Sequence, residues 1–198
     1  MGAQWIFLSF RGEAVSSPLL QSWTLLSSGT QRHDSGRLPV TPGEAVLDLC
    51  AAPGGKATEL ATKLAGQGIL VANDISASRA RALLRNLELF GASNIFVTNE
   101  IPEKMTRYFP EFFHKILLDA PCSGEGMFHR EPRMMEYWKE RGPEAYVPVQ
   151  KKLILQGARM LRGGGMLLYS TCTFSRKEDE EVIEYLLPRK MKKSSPFS

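Results

Sequence analysis

Two of the three cysteines stand where a thiol can do chemistry. Cys172 lies in Ser170-Thr171-Cys172-Thr173, just beyond the apolar run that ends in Leu167, Leu168 and Tyr169. A structural cysteine belongs inside such a run, where a free thiol packs as a small hydrophobe. Cys122 lies in Asp119-Ala-Pro-Cys-Ser-Gly-Glu-Gly, in a loop with Pro121, Gly124 and Gly126, rather than in the apolar run before it. A thiol at a strand end, near backbone donors and a helix start, can have its pKa lowered toward thiolate and act as a nucleophile.

Carboxylates and glycines accompany the thiols. In Asp48-Leu-Cys-Ala-Ala-Pro-Gly-Gly-Lys56, Gly54 and Gly55 let a ligand approach the backbone at a helix start, where N–H groups are free. The spacing is not that of the G-x-G-x-x-G dinucleotide fingerprint. Nor is it a phosphate-binding P-loop, since Cys50 replaces its first glycine and Ala57 its Ser/Thr. On spacing alone, a tight strand-to-helix turn without a ligand remains open. Asp74 ends an apolar run and can accept both hydroxyls of a ribose. It can equally be a turn or helix-start aspartate that uses its short acceptor side chain locally.

Positioning such residues requires strands that end together. Short apolar runs at 45–50, 68–74, 94–99, 114–121 and 165–172 read as strands. Helical spacing separates several of them, over about 54–65, 78–91 and 149–165, and a last helix over 175–187 opens with Ser175 and Glu178 as a capping box. Gly91 stands past the end of the second helix. Apolar strands alternating with helices imply an α/β fold, with a mostly parallel sheet covered on both faces. Ligands bind such sheets past the carboxyl ends of the strands. Each candidate motif falls there.

The bulk composition excludes several classes. The 198 residues, 43% hydrophobic and 23% charged, suit one globular domain. Three distant cysteines without a C-x-x-C pair, and His33, His114 and His129 without zinc-site spacing, argue against a disulfide framework or a structural zinc. No signal peptide and no run of about 18 apolar residues is found, so a cytoplasmic protein is expected. Net charge is +4. Between His129 and Arg162 stand Arg130, Arg133, Lys139, Arg141, Lys151, Lys152, Arg159 and Arg162, against four glutamates and interleaved with Tyr137, Trp138 and Tyr146. Such a segment can hold phosphates and stack bases, or simply be a solvated helical face.

Taken together, "DLCAAPGGKATELA", "DAPCSGEGMF" and "YSTCTFSRKEDEEVI" resemble the signature blocks of the Nop/Sun-type (NSUN) RNA cytosine carbon-5 methyltransferases, and most the bacterial branch that methylates ribosomal RNA. The resemblance runs from about Pro42 to about Leu187. It implies a Rossmann-like methyltransferase fold with S-adenosylmethionine as cofactor and RNA as partner. It places Cys50, Ala51, Ala52, Pro53, Gly54, Gly55 and Lys56 in the cofactor loop and Asp74 on the ribose. Asn99 falls near the adenine. Asp119 lies between the cofactor's methionine end and the target cytosine. Cys172 is the implied nucleophile on carbon 6 of the base, and Cys122 assists release of the product.

Both ends depart from that pattern. Residues 1–39 show no clear period and match neither the RNA-binding subdomain nor the Gln-Glu block expected before the first strand. The basic, Ser/Pro-rich stretch 188–198 replaces two further strands that complete the sheet in the family. The sequence therefore divides into an unassigned segment 1–39, a catalytic domain 40–187 and a disordered tail 188–198. About five strands are expected, with one sheet edge uncovered. An active enzyme and a catalytically impaired RNA- or cofactor-binding remnant are both compatible with this reading.

Overall fold

In a computed structural model, which describes residues 4–11, 19–27, 37–128 and 133–186, five parallel strands form the centre of the molecule. They are β3 (Ala45–Asp48), β4 (Ile69–Asn73), β5 (Ile95–Thr98), β6 (Phe113–Asp119) and β7 (Leu161–Thr171). Their spatial order is β7-β6-β3-β4-β5, so the chain reverses direction across the sheet between β3 and β6. Such a reversal opens a crevice at the carboxyl ends of the two strands, where ligands bind in doubly wound sheets.

Side-chain alternation gives each strand two apolar faces. Val46, Leu70, Leu117 and Leu168 pack with Ala57, Leu60, Ala61 and Leu64 of α1 (Gly55–Leu64) and with Leu83 and Leu87 of α2 (Ala77–Phe90). Leu47, Val71, Ile116, Leu167 and Tyr169 face the other way. They meet Met105 of α3 (Pro102–Tyr108), Leu153, Ile154 and Ala158 of α5 (Val147–Met160) and Val182 and Ile183 of α6 (Glu180–Leu186). A further helix, α4 (Arg133–Arg141), precedes α5. α2 ends as its sequence indicates: Gly91, with φ 77°, donates its N–H to Glu88 O.

Three expectations need correction. First, the edge beside β7 is not bare. β1 (Gln4–Arg11) and β2 (Leu19–Ser27) lie in the segment left unassigned, and they extend the sheet to seven strands in the order β2-β1-β7-β6-β3-β4-β5. β1 runs antiparallel to β7, with Leu8 opposite Leu167, and Leu8 is fully buried in the core. The signal was the run Trp5-Ile-Phe-Leu, rich in strand-forming residues. Second, β7 begins at Leu161, four residues before the expected start. The glycines at 163–165 lie within it, where its register with β6 shifts. Third, α6 begins at Glu180 rather than Ser175, and Glu178 makes no capping box. Its carboxylate turns inward to Ser123 and Gln150. The tail 188–198 lies outside the described residues.

Candidate active site at the carboxyl edge of the sheet

The loops after β3, β4, β6 and β7 converge on one edge. The 49–54 loop is held by main-chain bonds to its neighbours: Leu49 N–H to Leu117 O at 3.0 Å and Ala51 N–H to Asn73 O at 2.8 Å. Side chains that the sequence reading did not single out complete the hold. Asn73 donates to Leu49 O at 3.3 Å, Arg79 to Ala52 O at 2.8 Å and Asn86 to Pro53 O at 2.7 Å. Asn73 was signalled by its polar side chain in an apolar strand, whereas Arg79 and Asn86 stand among other polar residues of α2 and carried no such signal. Gly54, with φ 114°, precedes α1 in a conformation that disfavours any side chain, and a Cβ there would sit 3.1 Å from Leu83. Space over Gly55 is open, with nothing within 4 Å of where a Cβ would stand.

The acidic residues occupy distinct environments. Asp48, at the end of β3, is 1% exposed, and neither carboxylate oxygen has a hydrogen-bond partner among the described residues. Burial and the nearby Asp119 carboxylate push its pKa up to about 7, against the opposing influence of Lys56. Asp48 belongs to the first motif, yet sequence reasoning gave it no role. The signal was a carboxylate inside a buried run. Asp119 is ion-paired to Lys56 at 2.6 Å and accepts the Ser170 hydroxyl at 2.8 Å. Asp74 is buried. It accepts the Ser76 N–H at 2.9 Å and meets Arg79 at 3.3 Å, so the local turn role is realised. Asn99 donates to the Asp74 carbonyl at 2.7 Å, which ties the ends of β4 and β5 together. Ile75, beside Asp74, is 65% exposed, an apolar surface that the sequence reading passed over.

Cys122 and Cys172 meet, although 50 residues separate them. Their sulfurs are 3.0 Å apart, and the Cys172 N–H donates to Cys122 Sγ at 3.2 Å. A hydrogen bond from Cys122 holds the Cys172 thiol below its usual pKa, outweighing burial and the Asp119 charge. The same hydrogen bond, together with burial, pushes Cys122 up. Of the pair, Cys172 is thus the more acidic thiol and Cys122 the less acidic one. Cys50 is different: burial and the surrounding carboxylates push its thiol up, which leaves its main chain as its contribution to the loop.

Around the thiols, Gly126 N–H donates to Cys172 O at 2.8 Å. Glu125 accepts both the Trp138 indole N–H at 2.9 Å and the Phe174 N–H at 3.0 Å. Gly124 has φ 76°, and a Cβ there would overlap the Met134 side chain. Of the basic segment, Lys139, Lys152, Arg159 and Arg162 are exposed, while Gln150, Leu153, Ile154, Gly157, Ala158 and Met160 face the sheet. Residues 129–132, and the side chains of Arg133, Tyr137 and Arg141, lie outside the description. Among the described residues no group of three or more His, Cys, Asp or Glu side chains could hold a metal ion. No helix among them is long and apolar enough to cross a membrane.

A family described as 16S rRNA methyltransferase RsmB/F matches residues 37–197. The chain belongs to that family. Among RsmB/F relatives, the ribosomal RNA small subunit methyltransferase F of Pectobacterium atrosepticum is 41% identical over 141 residues, which cover 71% of this chain and 29% of the relative. That of Shewanella piezotolerans is 37% identical over 174 residues, covering 88% and 35%. The chain thus spans about a third of the length of the curated relatives it matches. Among solved structures, NSun6 from Pyrococcus horikoshii with SFG aligns at TM-score 0.70 and 32% identity, over 82% of this chain and 41% of that one. The fold is the Rossmann-like one of the methyltransferases.

Proposed function

We propose that this chain transfers a methyl group from S-adenosylmethionine to carbon 5 of a cytosine in RNA, and that the RNA is ribosomal. The Cys122–Cys172 pair carries the reading, because it stands at the sheet edge shared with the 50–56 loop. Family membership and the names of the relatives support it.

The residues fit the cofactor. The unpartnered, buried Asp48 carboxylate is the complement of its ammonium group. The open space over Gly55 admits it to the loop formed by Cys50 through Lys56. Asp74, already bonded to Ser76 and Arg79, would turn toward the ribose hydroxyls, exposed Ile75 would offer an apolar face to the base, and Asn99 is tied to the Asp74 carbonyl beside it. When bound, S-adenosylmethionine supplies an electrophilic methyl group.

The chain's own residues supply the rest. Carbon 5 of cytosine is a poor nucleophile until carbon 6 carries a substituent. Cys172, as thiolate, adds to carbon 6 as N3 takes up a proton from water, Asp119 accepts a hydrogen bond from the exocyclic amine of the base, and enamine character develops at carbon 5. After methylation water takes the carbon-5 proton, the carbon 6–sulfur bond breaks to release Cys172 as thiolate with Cys122 assisting, and N3 returns its proton to water. The target base must leave its stack to reach the thiol. Exposed Lys139, Lys152, Arg159 and Arg162 are available to the RNA backbone. A cytoplasmic location accords with this substrate.

The test is tritiated-methyl transfer to unmodified ribosomal RNA, alongside calorimetry with S-adenosylmethionine. Transfer that Cys172→Ala abolishes is the expected result. Cofactor binding without transfer would instead identify a binding remnant, and undiminished transfer by Cys172→Ala would overturn the mechanism.

A further inference from the structure

Glu178 has no exposed surface, yet no cation is paired with it among the described residues. Its carboxylate is held by neutral donors. Oε1 accepts the Ser123 N–H at 2.9 Å and a Gln150 Nε2–H at 2.9 Å, and Oε2 accepts the Ser123 hydroxyl at 2.5 Å. Burying a charge costs free energy that hydrogen bonds only offset. An apolar side chain could fill the same space without that cost. The expense therefore needs a reason other than packing.

The partners supply the reason. Ser123 adjoins Cys122, and its hydroxyl also pairs with the Thr173 hydroxyl at 2.9 Å, next to Cys172. With the Ser123 proton committed to Glu178, Thr173 donates to Ser123. Gln150 donates to Pro121 O at 2.9 Å as well, on the other side of Cys122. One carboxylate thus organises donors on both sides of Cys122 and on one side of Cys172. The backbone at Glu178 is fixed separately, since Tyr169 donates its hydroxyl to Glu178 O at 2.7 Å and Thr171 donates to Asp179 at 2.7 Å.

We propose that Glu178 is a positioning residue for the two-thiol chemistry: its buried carboxylate locks the loop of Cys122 to the loop of Cys172 and so sets the distance between their sulfurs. The inference rests on the proposed function for its catalytic consequence, but the geometric claim stands apart from it.

Glu178→Gln keeps the volume and the backbone anchors. Its amide presents a donor where a carboxylate oxygen accepted, so at least one link breaks. Ser123→Ala removes only the hydroxyl link, and it carries the test if Glu178→Gln does not fold. The geometric readout needs no methyl transfer. Oxidised glutathione converts the two thiols into one disulfide and is itself reduced to two glutathione thiols. Peptide mass spectrometry follows the Cys122–Cys172 bond. Ring closure should slow by about tenfold or more in both variants, under conditions where circular dichroism and S-adenosylmethionine affinity match the wild type. Where methyl transfer is measurable, kcat should fall by about 10–100-fold with little change in either KM, as expected for misplaced reacting groups. A lower melting temperature with wild-type closure and wild-type kcat would reduce Glu178 to a structural residue and overturn the proposal. Slowed closure in a protein whose wild type transfers no methyl group would uphold the positioning role and sink the proposed function alone.

Discussion

The sulfurs of Cys122 and Cys172 lie 3.0 Å apart, and the Cys172 N–H points at the Cys122 sulfur from 3.2 Å. The N–H favours ionisation of Cys122, whereas the thiol–thiol bond and burial act the other way and prevail. The pair is therefore asymmetric. Cys172 is the more acidic member and Cys122 the less acidic, with a shared hydrogen bond as the first cause of both shifts.

Alkylation should follow that order. With iodoacetamide, Cys172 should react at lower pH than an ordinary thiol, while Cys50 and Cys122, both pushed up, should react only at higher pH. Cys122→Ala removes the stabilising donor, so the Cys172 labelling profile should move to higher pH. Peptide mapping across a pH series reads this directly. A profile that stays in place would mean that Cys122 does not stabilise the thiolate.

The same asymmetry predicts different fates for the two variants on RNA. Cys172→Ala should form no covalent complex with substrate RNA. Cys122→Ala should still form one and release it slowly, so that a protein–RNA species accumulates on denaturing gels. Equal accumulation in both variants would remove the nucleophile assignment.

Much of this site was legible because its chemistry is local in sequence. The 48–56 loop, Asp119, Cys122 and Cys172 each stand at the end of an apolar run, and period alone placed those ends on one sheet edge. What was not legible is long-range. Asp74 reads the same whether it serves a turn or a ribose. Glu178 sits three residues after Ser175 and therefore looks like a cap. Only the packing of α5 and of the loop after β6 against it supplies Gln150 and Ser123 as better partners. The hairpin of β1 and β2 was missed for a similar reason, since its stability comes from pairing with β7, more than 140 residues away.

Asp48 should couple cofactor binding to pH. Its folded pKa of about 7 lies above the 3.8 of an ordinary aspartate. Between those values the folded apoprotein keeps a proton that the unfolded chain has lost. The stability of the apoprotein should therefore fall as pH rises through this window, by up to about 4 kcal/mol for a shift of roughly three units. Binding a cationic ammonium favours the carboxylate, so cofactor affinity should rise with pH below about 7 and level off above it. Calorimetry near pH 6 in buffers of different ionisation enthalpy should register proton release on binding. Asp48→Asn should stabilise the apoprotein at pH 8, weaken cofactor binding and abolish the proton release. Proton release that persists in this variant would place the linkage on another group.

Leu8 tests whether β1 is an integral part of the sheet. It is fully buried, pairs in register with Leu167 and packs in the core cluster that includes Phe113, Ile116 and Tyr169. Truncating a leucine in such a place loses its transfer free energy and leaves a cavity, a combined cost of about 2–5 kcal/mol. Leu8→Ala should lower the denaturant midpoint by a corresponding amount. Because β7 carries Thr171 into the cysteine loop, the loss of its outer neighbour should also loosen that strand. Hydrogen exchange at Leu167 and Tyr169 should then quicken more than at Leu70 in β4, two strands beyond β6. An unchanged midpoint and unchanged exchange in Leu8→Ala would show that the parallel sheet stands without the hairpin.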